Sequence, residues 1–352
     1  MTLIACLHPR QCRTLFADVL IGSKEASNQD FTLPTRAYIA PDWFESLSAK
    51  PFTYRRKVIE ITPQLVILWS GDYLLARQLA MRARDWFTTS SPSEDDVRGL
   101  WDKYYGKPIP GLHAIIVPAS GDWLYNIGVV QKNQSPGCGE YFVAGTGAAI
   151  FTKIATKMIP SEGTPEHEAL RIASEFMAYE FLDGGPIRAL FGGAYEILYV
   201  GEKGFQRVDD VMHIFRLVQV VSSNQIKIIQ GHHVIRQWYS GSQLCIGSLS
   251  SPDAEQQQLG NMGISVPDIL EEPKQFIRSV EELAVIPKYM CIHHLFDFGK
   301  NQITCPMTIQ GSDLIERHFK ITSDRSQVRL AHTAEYEERV LQQAKQLANR
   351  EP

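Results

Sequence analysis

The spacing of apolar residues changes twice along this chain, and the order of those changes limits the fold more than composition does. Up to Trp69 the apolar residues come in short strand-like runs. Thr2–Leu7 and Arg13–Ile21 flank the turn Pro9-Arg10-Gln11, and Lys57–Ile61 and Leu65–Trp69 flank Thr62-Pro63-Gln64. Residues 23–55 break this pattern and read as a long surface excursion. From Asp72, a candidate helix cap, the spacing becomes helical, with Leu75, Leu79, Ala83 and Trp86 on one face. Two further helices are predicted, one carrying Ile150, Ile154 and Met158, the other Leu170, Ala173, Met177 and Phe181. Between the first helix and these two lie Leu112–Val117, Trp123–Ile127 and the short run Tyr141–Ala144. Gly193–Val200 and Phe205–Val208 then form a last hairpin around Gly201-Glu202-Lys203-Gly204. Hairpins at both ends with helices between them predict a layered α+β domain over residues 1–210, because a doubly wound parallel sheet would alternate strand and helix throughout.

Beyond 210 the chain turns β-rich, with strand-like runs at His213–Val221, Gln225–Ile229, Val234–Tyr239, Leu244–Leu249, Tyr289–Phe298, Ile303–Ile309, Leu314–Ile321 and Val328–Leu330. Residues 250–273 are polar and read as a linker. A final amphipathic helix, 334–349, aligns Val340, Ala344 and Leu347. Two domains are therefore predicted, 1–210 and a β-rich extension over 211–352.

Charge narrows the function classes. Thirty-five Lys and Arg against 39 Asp and Glu give a net charge of -4, so no basic excess exists to neutralise a phosphate backbone, and a nucleic-acid partner is not expected. The longest apolar run, Leu65–Trp69, falls far short of the roughly 20 residues a membrane helix needs. A soluble protein with no membrane partner is expected. The N-terminus reads as a strand and not a signal peptide, and six cysteines without a CxxC pair suggest free thiols in a reducing compartment, with the cytoplasm as the predicted location. No cofactor and no metal are predicted. His232-His233 and His293-His294 each point to opposite faces of a strand, and Gly145-Thr146-Gly147 lacks the Lys-Ser/Thr of a phosphate loop.

Thr2 directly follows Met1, and removal of Met1 would leave a threonine carrying both a hydroxyl and a free amine. A terminal amine has a pKa of about 7.7–8.0 and can accept the hydroxyl proton near neutrality. The segments around it, Thr2–Leu7, Thr14–Asp18, Arg56–Ile59 and Val66–Arg77 with its Ser70-Gly71-Asp72, together resemble the opening of proteasome β-type subunits. That family includes the bacterial peptidase HslV and the bacterial β-subunit Anbu, and the resemblance covers about residues 2–208.

The resemblance implies a four-layer αββα sandwich of the N-terminal nucleophile (Ntn) hydrolase type, here with a β-rich C-terminal extension. Thr2 falls at the family's nucleophile, and Asp18, sixteen residues on, at its acidic partner. Lys57 falls at the lysine that lowers the nucleophile's proton affinity, after a step lengthened by about the 23–55 segment. Gly71 matches the oxyanion glycine, Thr146 the hydroxyl of a Gly-Ser-Gly turn, and Asp183 the second acidic residue; Pro186 stands where a serine is expected. The implied activity is a threonine-type peptidase acting on peptides or unfolded proteins and assembled as a homo-oligomer; the sequence names no unfoldase partner. The alternative is a catalytically inactive assembly or interaction subunit.

Overall fold

The computed structural model describes residues 2–8, 13–23, 50–87, 92–107, 109–158, 164–183, 191–222, 224–250, 262–272, 285–299, 302–324 and 327–349. Contacts divide the chain into two units: Met1–Val208 with Gly241–Leu244 and Ser265–Lys274, and Asp209–Ser240 with Cys245–Ile264 and Gln275–Pro352.

In the first unit, six strands form one sheet. They are β1 (Ile4–Leu7), β2 (Thr14–Asp18), β9 (Gln131–Ser135), β10 (Gly139–Ala144), β11 (Tyr195–Gly201) and β12 (Gly204–Arg207), in the order β12-β11-β2-β1-β10-β9. Between these in sequence come β3 (Leu20–Ser23) and β4 (Lys50–Tyr54), paired with each other, and the sheet of β5 (Val58–Thr62), β6 (Leu65–Gly71), β7 (Leu112–Pro118) and β8 (Tyr125–Ile127). Alternation along the strands assigns the faces. Ile4, Cys6, Leu15 and Ala17 of the first sheet meet Val58, Val66, Leu68 and Ile115 of the second in one buried cluster. The intervening residues of β5 and β6, Ile59, Ile67 and Trp69, pack instead against α1 (Tyr73–Trp86) and α2 (Glu94–Tyr104). Phe16, on the opposite face of β2 from Leu15, stacks on Tyr195 at 5.0 Å and meets Phe151 of α3 (Ala148–Ala155) and Phe176 of α4 (Pro165–Asp183) at 6.0 and 5.1 Å.

Helix ends follow their capping residues. Asp72 accepts from Leu75 N at 3.0 Å and starts α1. Ser93 and Asp96 form a reciprocal capping box at α2, a helix that apolar spacing did not predict because it buries only Val97 and Leu100.

The strands after Val208 form another sheet, made of β13 (Val211–Ser222), β14 (Gln225–Ser240), β15 (Gln243–Ser250), β16 (Met262–Val266), β17 (Tyr289–Asp297) and β18 (Gln302–Gln310), ordered β16-β15-β14-β13-β17-β18. Here β13 runs parallel to β17, while β14 and β18 flank them antiparallel. The hairpin β19 (Phe319–Asp324) with β20 (Gln327–His332) follows the short helix α5 (Ser312–His318). The terminal helix α6 (Ala334–Ala348) buries Tyr336, Val340 and Ala344, with Leu347 partly buried against the same cluster.

Four expectations are corrected. The chain is mostly β, with twenty strands in mixed sheets and six helices among the described residues, and this does not fit a four-layer αββα sandwich of the N-terminal nucleophile hydrolase type. That expectation followed from the resemblance of the first three fifths of the chain; strands that local spacing did not mark, β4 at the end of the 23–55 excursion and the polar β9, add to the strand content. Residues 314–318, read as strand, are helical, and 225–229 and 234–239, read as two strands, belong to the single β14. Of the 250–273 segment read as a linker, 262–266 is strand β16, and 251–261 and 273 lie outside the described residues.

Candidate active site

Thr2 precedes β1, so pairing of that strand with β2 and β10 places it beside Asp18, at the end of β2, and Ala144, at the end of β10. Asp18 N–H donates to Leu3 O at 3.0 Å, and Leu3 N–H donates to Asp18 Oδ1 at 2.7 Å. The same oxygen takes Lys57 Nζ at 2.5 Å, and Lys57 also donates to Leu20 O at 2.6 Å. Asp18 Oδ2 accepts from Gly192 N at 2.9 Å and Leu20 N at 3.2 Å. Both Asp18 and Lys57 are fully buried. Burial pulls the Lys57 ammonium down to about 8, against the opposing pull of Asp18. Burial likewise raises Asp18, opposed by Lys57 and by the amides of Leu3 and Gly192.

A buried pair of this kind is weak evidence of stability, because desolvation offsets much of the attraction between the charges. Its position carries more information. One hydrogen-bond link, through Leu3 N–H, separates the pair from the backbone of Thr2.

Across β1, Gly145-Thr146-Gly147 closes on the same residue. Thr2 N donates to Thr146 Oγ1 at 3.1 Å, and Gly147 N donates to Thr2 O at 3.1 Å. Gly145 has φ +96°, and a Cβ there would stand 2.1 Å from Thr2 O and 2.7 Å from Thr2 Oγ1, so only glycine permits this approach. Gly71 is constrained in the same way: φ is +99°, and a Cβ would stand 1.9 Å from Gly111 O.

Thr2, Gly71 and Thr146 line one cavity of about 260 Å³, together with Ser70, His113 and Val129. Thr2 Oγ1 and Ser70 Oγ are both buried and have no hydrogen-bond partner among the described residues. Leaving such a group unpaired costs about 1–3 kcal/mol, and a substrate that supplies a partner removes that cost.

Five of the six sequence-predicted residues, Thr2, Asp18, Lys57, Gly71 and Thr146, thus converge on one end of the first unit. Asp183 is the last residue of α4, and neither its side chain nor Pro186 belongs to the described part of the structure.

The apolar pattern gave no sign of Glu180, one turn before the end of α4. It is fully buried and accepts from Gly193 N at 2.9 Å and Tyr195 OH at 2.8 Å, which fixes the Gly192-Gly193 turn whose first amide donates to Asp18. A glutamate on the apolar face of a helix is the sequence signal that marks it. His113 was equally hidden, as a lone histidine in an apolar strand.

No protein-family model matches this chain, and no curated protein matches its sequence.

Proposed function

We propose that the first unit is a threonine-type peptidase whose nucleophile is Thr2, exposed by removal of Met1. The observation that carries the reading is Thr2 Oγ1: a buried, unpaired hydroxyl facing a 260 Å³ cavity, on a residue whose own nitrogen would become a terminal amine. That amine, held by Thr146 Oγ1, takes the hydroxyl proton directly or through water as Oγ1 attacks the scissile carbonyl. The resulting tetrahedral oxyanion falls to the Gly71 amide, by the resemblance described above. The proton then passes to the leaving amine, an ester to Thr2 remains, and water hydrolyses it. Lys57, anchored on Asp18, favours the neutral amine through its positive charge and needs no direct contact with the hydroxyl.

No metal or cofactor enters this scheme. Peptides or unfolded polypeptides are the proposed substrates, and a homo-oligomer the proposed assembly. The cytoplasm is proposed from the five free cysteines, Cys6, Cys138, Cys245, Cys291 and Cys305, among the described residues. No helix among the described residues is long and apolar enough to cross a membrane.

The test combines the intact mass of the purified protein with hydrolysis of short fluorogenic peptides. Loss of Met1 and turnover abolished by Thr2→Ala are the expected results. Equal turnover by wild type and Thr2→Ala excludes this nucleophile, and no turnover by a protein that has lost Met1 leaves the inactive assembly subunit as the reading.

A further inference from the structure

The cavity facing Thr2 has a second polar wall. Ser70 and His113 are register partners across β6 and β7, and both line the cavity. Ser70 is fully buried and its Oγ has no partner among the described residues. His113 is held in one tautomer: its Nδ1 accepts Val129 N–H at 2.9 Å, so the neutral ring carries its proton on Nε2. Burial lowers the pKa of His113 and keeps the ring neutral at pH 7.

Gly128 makes this lock. With φ +71°, a Cβ there would stand 2.3 Å from Leu112 O and 2.7 Å from His113 Nδ1, so only glycine lets the chain turn closely enough for the Val129 amide to reach the ring. No Asp, Glu, Lys or Arg is among the described residues lining the cavity. The wall therefore offers a hydroxyl that donates or accepts and an N–H that donates, with no charge to pair with an ion.

We propose that Ser70 and His113 form a specificity subsite for a neutral, hydrogen-bonding side chain of the peptide substrate, an amide such as that of glutamine or asparagine. An amide oxygen takes the His113 Nε2–H, and Ser70 Oγ pairs with the same group. An ammonium would be desolvated in this cavity without a counter-charge, a carboxylate would meet only the Thr2 amine, which the peptidase reading holds neutral, and an aliphatic side chain would leave Ser70 unpaired. Val129, 70% exposed at the rim, supplies apolar contact for the stem of the side chain. This assignment rests on the peptidase reading for its meaning, but binding can be measured without catalysis.

The probes are capped alanine tripeptides with Gln, Leu, Asp or Lys at the centre, titrated calorimetrically into the full chain carrying Thr2→Ala. The Gln peptide should bind tightest. Ser70→Ala and His113→Phe should each weaken it by about tenfold while leaving the Leu peptide unchanged or improved. His113→Gln, which restores a donor, should recover part of the loss, and thermal unfolding checks that each variant remains folded. Asp or Lys peptides that bind as well as Gln, variants that keep the wild-type order, or no binding by any peptide would each overturn the subsite. Hydrolysis by the protein with Thr2 intact separates the two claims. Ser70-dependent binding without Thr2-dependent turnover removes the peptidase and keeps the subsite; Thr2-dependent turnover with an unchanged preference in the Ser70 and His113 variants removes the subsite alone.

Discussion

Two buried charges and one unpaired hydroxyl meet within a few residues of the first strand, and their energetics can be separated by substitution. Thr2→Ser keeps the hydroxyl and should retain part of the peptide turnover, whereas Thr2→Ala should lose it by several orders of magnitude in kcat/KM with little change in Tm. Lys57→Ala leaves Asp18 buried without its cation, so it should destabilise by about 3–5 kcal/mol in denaturant unfolding. The pair also fixes a pH dependence. Lys57 has a folded pKa of about 8 against its ordinary 10.5, so between those values the unfolded chain binds the proton that the folded chain has released. Its contribution to stability therefore rises as pH goes from 8 to 10.5. The Tm of wild type relative to Asp18→Asn/Lys57→Met should increase over that window, and a difference that stays flat would mean that Lys57 is not held low.

At the scale of single elements, glycine conformations and helix caps decide what tolerates change. Gly71→Ala places a methyl group against Gly111 O at the start of α1, a clash with backbone that must displace one strand or the other. Soluble yield and peptide turnover should both fall. In α6, Thr333 caps the first turn, accepting from Tyr336 N at 3.4 Å, and Thr333→Ala should cost about 1 kcal/mol in denaturant unfolding. Tyr336 OH and His294 Nε2 lie 2.6 Å apart in the buried core, and Tyr336→Phe should cost about 1–3 kcal/mol by stranding the ring nitrogen. A larger loss from Thr333→Ala than from Tyr336→Phe would reverse this ranking of cap and core.

For the molecule as a whole, the second unit carries an acid sensitivity of its own. His213 on β13 and His293 on β17 face each other across the parallel pair at 3.3 Å, with Phe215 stacked on His293 at 4.5 Å. Burial lowers His213 to about 3, His293 well below its ordinary 6.5, and His294, which also feels Arg216, to about 4. Other titratable groups near this core among the described residues include His233, His318, His332, Tyr336, Glu337, Cys245, Cys291 and Cys305. Because the folded values lie below 6.5, unfolded chains take up protons first as pH falls, and stability is lost progressively below 6.5. Each histidine contributes a slope approaching about 1.4 kcal/mol per pH unit in that range. Amide protection factors in β13 and β17, with the pH dependence of intrinsic exchange divided out, should fall between pH 7 and 5, and His213→Phe should flatten the dependence.

Local signals fixed the elements whose residues reveal them singly. The hairpins around β5 and β6, the Asp72 cap with the apolar stripe of α1, and the Val340–Ala344 face of α6 all follow from spacing and capping chemistry. The sixteen-residue step from Thr2 to Asp18 was legible only through the resemblance, and the antiparallel pairing of β1 with β2 places the two residues side by side. What escaped depends on partners distant in the chain. β9 is the polar run Gln131–Ser135, which is a strand only because β10 pairs with it. The parallel register of β13 with β17 joins residues about eighty positions apart, which no local spacing reports. Ser70 and His113 are unremarkable in sequence, and only their pairing across two strands, with Gly128 pressed against the histidine, turns them into one wall of a cavity. Periodicity along a chain reports which face a residue presents; the tertiary fold alone decides which two faces meet.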